Sequence, residues 1–166
     1  MKKMKTLVIA FVLITTGIVS AQQVAHINSE ELVASMPETK AMQNEMKAIG
    51  QSYDTEYKAQ ANSLQAKLQK YQAESATKSN EENAKRQEEV AEIQKKLQLY
   101  LRTAQEELQK KEFDLLKPII EKAQKAIQDV AKEKGIKYVM DSSPGKGLIV
   151  FEGEDLLSSV KTKLGM

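Results

Sequence analysis

The middle of the chain carries a narrow apolar stripe at helical spacing. It runs through Met42, Met46, Ile49, Tyr53, Tyr57, Ala61, Leu64, Leu68 and Tyr71 in steps of three and four. A second series, Val90, Ile93, Leu97, Leu101, Ala104, Leu108 and Leu115, keeps a similar rhythm. Met42, Tyr53 and Leu64 lie eleven residues apart, as do Met46, Tyr57 and Leu68. That period, about 3.67 residues per turn, predicts nearly straight helices. Between the two series Ser79 stands three residues before Glu82, the spacing of a capping box. The stripes mirror each other about residues 78 and 79, placing Leu68 opposite Val90, Leu64 opposite Ile93, Tyr57 opposite Tyr100, Tyr53 opposite Ala104 and Ile49 opposite Leu108. This pattern predicts an antiparallel helical hairpin with its tip near 77–81. One continuous helix through the tip is the alternative. An arm of about 39 residues would reach about 58 Å at the α-helical rise.

The flanks read differently. Val24-Ala25-His26-Ile27 is a short β-prone run, and Ser29 is placed to cap a helix from Glu30 to Met36. Pro37 closes that helix and suits the first turn of the next. Apolar density rises around Pro118, with Phe113, Leu115, Leu116, Ile119, Ile120, Ala123, Ile127 and Val130. Pro118 lacks an N–H and its ring opposes the Asp114 carbonyl, so a kink or break is expected there. Gly135 is a helix stop. Beyond it come a strand at Tyr138 to Asp141, a turn at Ser142 to Gly147, a strand at Leu148 to Phe151, and a helix at Asp155 to Leu164. The expected fold class is α+β and mostly helical. Residues 22–37 and 116–166 form a small β-containing body, and 38–115 form the hairpin. Val24, Ile27, Leu116, Ile119, Ile120, Ile127, Val139 and Ile149 are the expected body core, with Gly50 and Pro118 as hinges. Three short strands leave open edges that need covering, so self-association is expected.

The first residues belong to a different grammar. Lys2, Lys3 and Lys5 precede an uncharged run from Thr6 to Val19, and Val19-Ser20-Ala21 has the small-residue pattern of a cleavage site. This is a secretory signal peptide, cut after Ala21. Its 14 residues fall short of the roughly 20 that a membrane-spanning helix needs. Cleavage changes the charge. The chain has 25 basic and 23 acidic side chains, and losing three lysines leaves 22 against 23, a net −1. That balance disfavours a general nucleic-acid binder.

Candidate chemistry is sparse. There is no Cys, which excludes disulfides, thiolate metal sites and a thiol nucleophile. The one histidine, His26, has no second ligand or triad partner beside it. Asp141 reads as a strand-ending turn residue, and Pro144-Gly145-Lys146-Gly147 as a β-turn rather than a phosphate loop. No catalytic residue, cofactor or metal is expected.

Val24-Ala-His-Ile-Asn-Ser-Glu-Glu-Leu32, the long charged hairpin, Leu115-Leu116-Lys117-Pro118-Ile119-Ile120, and the run from Ala126-Ile127 through Val130-Ala131 and Gly135 to Tyr138-Val139-Met140-Asp141 together resemble the Skp/OmpH family of periplasmic chaperones. The similarity covers the whole mature chain and is most specific from Leu115 to Asp141. It implies a homotrimer with a β-barrel body and three helical arms. These would hold unfolded outer-membrane β-barrel proteins in the periplasm, without ATP and with membrane contact indirect at most. On that reading Met42, Met46, Ile49 and Leu99 are candidate client contacts, Met because its flexible side chain suits promiscuous surfaces. A structural spacer or tether of the envelope is the alternative. Family members are often strongly basic. Here Glu38 to Asp114 carries 13 basic and 14 acidic residues, so client holding is expected to be apolar and only weakly charge-dependent.

Overall fold

The computed structural model describes residues 24–166; the signal-peptide reading and its cut after Ala21 lie outside the described residues. In chain order the elements are β1 (Val24–Ile27), α1 (Ser29–Ser35), α2 (Pro37–Glu74), a 3₁₀ turn (Ser75–Thr77), α3 (Asn80–Glu133), β2 (Tyr138–Asp141), β3 (Glu154–Asp155) and α4 (Leu157–Lys163). The chain is mostly helical, with long helices and a minor sheet. It divides into two compact units, one comprising the residues up to Glu31 together with Lys125–Met166, the other Leu32–Gln124.

Within the second unit, α2 and α3 form an antiparallel pair. α2 opens with Pro37, whose fixed φ suits a first helical turn and whose missing N–H is not needed there. The turn at Ser75–Thr77 ends it, so the helix does not run through the tip. Ser79 restarts the chain: its hydroxyl accepts the Glu82 N–H at 3.2 Å and its carbonyl accepts the Asn83 N–H at 2.9 Å. Only half of the expected capping box is used. The Glu82 carboxylate pairs instead with Lys78 at 2.9 Å and Arg86 at 3.4 Å. Contacts across the pair fix its register. Glu38 meets Lys122, Glu45 meets Lys111, Glu56 meets Tyr100, Lys67 meets Glu89 and Glu74 meets Arg86. Each of these pairs is centred on residues 78–80, within a residue or two of the mirror that the apolar stripes predict.

Pro118 does not break α3, which is helical from Asn80 to Glu133. Pro118 and Asp114 are both exposed, so water can satisfy the carbonyl that the proline leaves without a donor. The helix ends at Gly135, which has φ +69° and lets the Ile136 N–H reach back to the Ala131 carbonyl at 2.8 Å.

In the first unit the sheet order is β2-β1-β3, with both neighbours parallel to β1. Val24 pairs with Tyr138 and Ile27 with Asp141, while Ala25 and His26 pair with Glu154 and Asp155. Ala25 and Ile27 are buried on one face, as strand alternation requires. Leu148–Phe151 is not a strand. β1 is the central strand with both its edges taken, and the run does not pair with the outer edge of β2 or of β3. The third strand is the two-residue β3 instead, and the last helix starts at Leu157 rather than Asp155. Gly153 makes this possible. A Cβ there would lie 2.9 Å from the Val24 carbonyl oxygen. The preceding turn holds Pro144 followed by Gly145 at φ +81°, closed by the Lys146 N–H on the Ser143 carbonyl at 3.2 Å.

Candidate functional site

Two surfaces merit attention, one in each unit. In the hairpin the seam is thin. Leu64, Leu97 and Ala104 are buried, while Met42, Met46 and Ile49 are half-buried. A shallow recess of about 500 Å³ opens between Tyr57, Leu64, Leu68, Leu97 and Leu101. Leu99 lies off the seam and is 51% exposed, and Phe113 is 66% exposed. The expected client contacts therefore differ in kind. Leu99 presents itself to solvent, and the two methionines and Ile49 are partly covered. Phe113, which no expectation singled out as a contact, is more exposed than any of them. Its step from the stripe residues Leu108 and Leu115 was the available signal.

Polar pairs supply what the seam lacks. The Tyr53 hydroxyl donates to Glu107, Tyr100 donates to Glu56 at 2.9 Å, and Tyr71 donates to Glu89 at 2.5 Å. Tyr53 and Tyr100 meet edge to face, with centroids 6.1 Å apart. Desolvation, then the hydrogen bond to Glu56, pushes the Tyr100 phenol up to about 12. The Lys67 ammonium, then the Tyr71 hydroxyl, holds the Glu89 carboxyl below its usual range. Near the tip the cations are spoken for. Lys78 pairs with Glu82 and Lys85 with Glu81. Arg86, whose side chain is 14% exposed, pairs with Glu74 at 2.8 Å and lies 4.5 Å from the centre of the Tyr71 ring. Arg86 is folded into the tip. Applying the apolar mirror to charged positions would have found the Lys67–Glu89 and Glu74–Arg86 partners.

The sheet unit has a polar cluster on one side and an apolar face on the other. The Asn28 carboxamide oxygen, rather than Ser29, caps α1 by accepting the Glu31 N–H at 2.9 Å. Ser29 donates its hydroxyl to the Asp141 carboxylate at 2.7 Å, and Ser143 donates its own at 2.6 Å. Their backbone N–H groups reach the same carboxylate at 3.3 and 3.0 Å. Burial opposes ionisation of Asp141, but these four donors outweigh it and hold the carboxyl at about 2. Asp141 is thus a structural acceptor. On the opposite face of the sheet Val24, Tyr138 and Met140 are exposed, and so are Ile149, Val150 and Phe151 of the unpaired run.

The expected core residues scatter accordingly. Ile27 and Ile119 are buried, and Leu116, Ile127 and Val139 are half-buried. Val24, Ile120 and Ile149 are outside the chain's own core, at 47%, 38% and 92% exposure. Val24 projects from the uncovered sheet face, and Ile149 sits in the run that pairs with nothing. The deepest side chains are Leu32, Met36, Leu156 and Val160, all from short flanking elements. Gly50 lies inside α2, with open space where a side chain would be.

Among the described residues no group of three or more His, Asp or Glu side chains is placed to hold a metal ion, and no helix is long and apolar enough to cross a membrane. The family model described as outer membrane protein (OmpH-like) matches residues 23–164. No curated protein matches the chain. Among solved structures, a Caulobacter crescentus CB15 protein described as an outer membrane chaperone (OmpH-like) shares the fold, with TM-score 0.77 and 18% identity over 87% of this chain and 85% of that one.

Proposed function

The chain belongs to the OmpH-like outer membrane protein family, whose members are non-catalytic chaperones, and from that premise we propose that it is an ATP-independent periplasmic holdase for unfolded outer-membrane β-barrel proteins. Three copies associate through the sheet units, and their hairpins enclose the client. The supporting observation is the set of large apolar side chains left exposed along the hairpin, Leu99 and Phe113 off the seam and Leu101 at its margin. Such side chains offer many weak apolar contacts, and three arms around one chain multiply them through effective concentration. Met42, Met46 and Ile49 add adaptable contacts. A spacer or tether has no use for exposed leucine and phenylalanine along its length.

The uncovered sheet face and the edge of β2 are the surfaces for self-association. Val24 and Ile149 belong to that contact, and Val139 lies on the β2 edge with its side chain on the Ala25 face. A chain with an open apolar face and an open strand edge is an aggregation hazard unless another copy covers them.

The test is whether the exported protein keeps a urea-diluted outer-membrane β-barrel soluble at stoichiometric ratio. Aggregation at the same rate as without it would sink the proposal. Holding should persist as salt rises, because apolar burial is not screened whereas exposed charge pairs are, beyond about 8 Å at physiological ionic strength.

A further inference from the structure

The only histidine of the chain sits on the uncovered sheet face. His26 is in register with Met140 of β2 and Asp155 of β3. Its ring packs on Phe151, with centroids 4.6 Å apart and planes at 57°. Nδ1 is sealed from solvent and has no hydrogen-bond partner among the described residues. Phe151 ends the Leu148–Phe151 run, which has no ladder of its own, so this contact ties the run to the sheet.

No carboxylate among the described residues forms an ion pair with His26. The Asp155 carboxylate accepts the Leu157 N–H at 2.8 Å, and Glu154 pairs with Lys134 at 2.6 Å. β2 contributes Tyr138 and Met140 to this face, while the Asp141 carboxylate is held by Ser29 and Ser143. Glu152, next to Phe151, is exposed.

We propose that His26 is a pH-sensitive latch on self-association, an inference that rests on the assembly proposed above. As neutral imidazole it seats Phe151 and presents the apolar face to another copy. Protonated, it unseats Phe151 and weakens the assembly. Histidine changes charge between about pH 5 and 8. The imidazolium has two N–H donors and no acceptor, and a charge among apolar groups needs water or a partner at each of them. With Phe151 seated, Nδ1 has neither. The tilted ring contact is also not the face-on geometry in which an aromatic attracts a cation best.

Sedimentation velocity of the exported protein at constant ionic strength, from about pH 8 to about pH 5, tests this. Self-association should weaken by about tenfold or more across that range, one or more factors of 1.4 kcal/mol by the usual conversion. The His26→Leu variant should show no such dependence. Because His26 is the sole histidine, its Hε1 proton resonance reports its titration directly, and that midpoint should coincide with the midpoint of dissociation. Phe151→Ala should associate weakly at both ends of the range. A protein that is monomeric at every pH overturns the assembly itself. An oligomer of constant affinity across the range leaves the assembly standing and overturns the latch. So does retention of the full pH dependence by His26→Leu or by Phe151→Ala.

Discussion

From Lys40 to Pro118 the only buried apolar side chains are Leu64, Leu97 and Ala104, whereas the much shorter sheet unit buries Ala25, Ile27, Ala126, Val130, Ala131, Ile136, Leu156 and Val160. The hairpin relies on tyrosine–carboxylate and ion pairs that span its two helices, most of them at the surface. Such pairs contribute about 0–1 kcal/mol each. They hold register without fixing the arm rigidly. The sheet unit has a fixed core and a capped polar cluster, and keeps its exposed apolar groups on one face and one unpaired run. The two units thus divide the proposed labour: one adapts to a client, the other presents a defined surface to its own kind.

The largest effect that separates them is a charge placed in each. Val160→Asp puts a carboxylate at a position with 0% exposure and no partner, and should destabilise the protein by several kcal/mol, about 4. Ile120→Asp, at 38% exposure, should cost about 1 kcal/mol or less. Sequence reasoning placed Ile120 in the body core, and within the single chain it lies at the surface. Urea denaturation followed by circular dichroism measures both. Equal losses would mean that Ile120 becomes buried in the assembly.

Acid should loosen the sheet unit next. Asp141 has its folded-state value lowered from 3.8 to about 2, so its contribution is complete above about pH 4 and disappears as the pH falls through about 2. Because the carboxyl is partly exposed, the contribution is discounted to about 1–2 kcal/mol. Asp141→Ala should lose a similar amount at neutral pH and flatten the acid limb of stability between about pH 4 and 2. An unchanged acid limb in the variant would show that the four donors do not depend on the charge.

The hairpin was the more legible unit because its information is periodic. A stripe repeated over many turns fixes which residues face each other, and the cross-hairpin pairs Lys67–Glu89 and Glu74–Arg86 fall close to the register that Leu64–Ile93 and Leu68–Val90 predict. Gly135 and Pro144-Gly145 were legible for a different reason, since each needs a backbone geometry that few residues adopt. The sheet was harder. Strand propensity alone favoured Leu148–Phe151, but a strand needs an edge. Those of β1 are assigned by long-range pairing to Tyr138–Asp141 and Glu154–Asp155, and the run does not pair with the outer edge of β2 or of β3. His26 and Phe151 are far apart in sequence, and nothing local to either announces their contact. At Pro118 the helix continues without the break that was one of the two expected outcomes: a lost hydrogen bond costs less on a helix face open to water, and Pro118 is exposed.

The smallest expected effect tests the looseness of the arm most directly. Gly50 lies inside α2, and a Cβ built there meets nothing within 4 Å. Its backbone is helical, so Gly50→Ala introduces no strain and lowers the entropy of the unfolded chain. It should stabilise the protein by about 0.5–1 kcal/mol. A gain confirmed by thermal unfolding would leave the sheet unit unaffected, which hydrogen exchange at β1 and β2 can check. The functional consequence discriminates further. If Gly50 acts as a hinge, a stiffer arm should hold small barrel clients as before and lose solubilising capacity for large ones. If capacity is unchanged for every client size, the arm adapts through its thin seam and surface pairs along its whole length, and Gly50 has no special part in it.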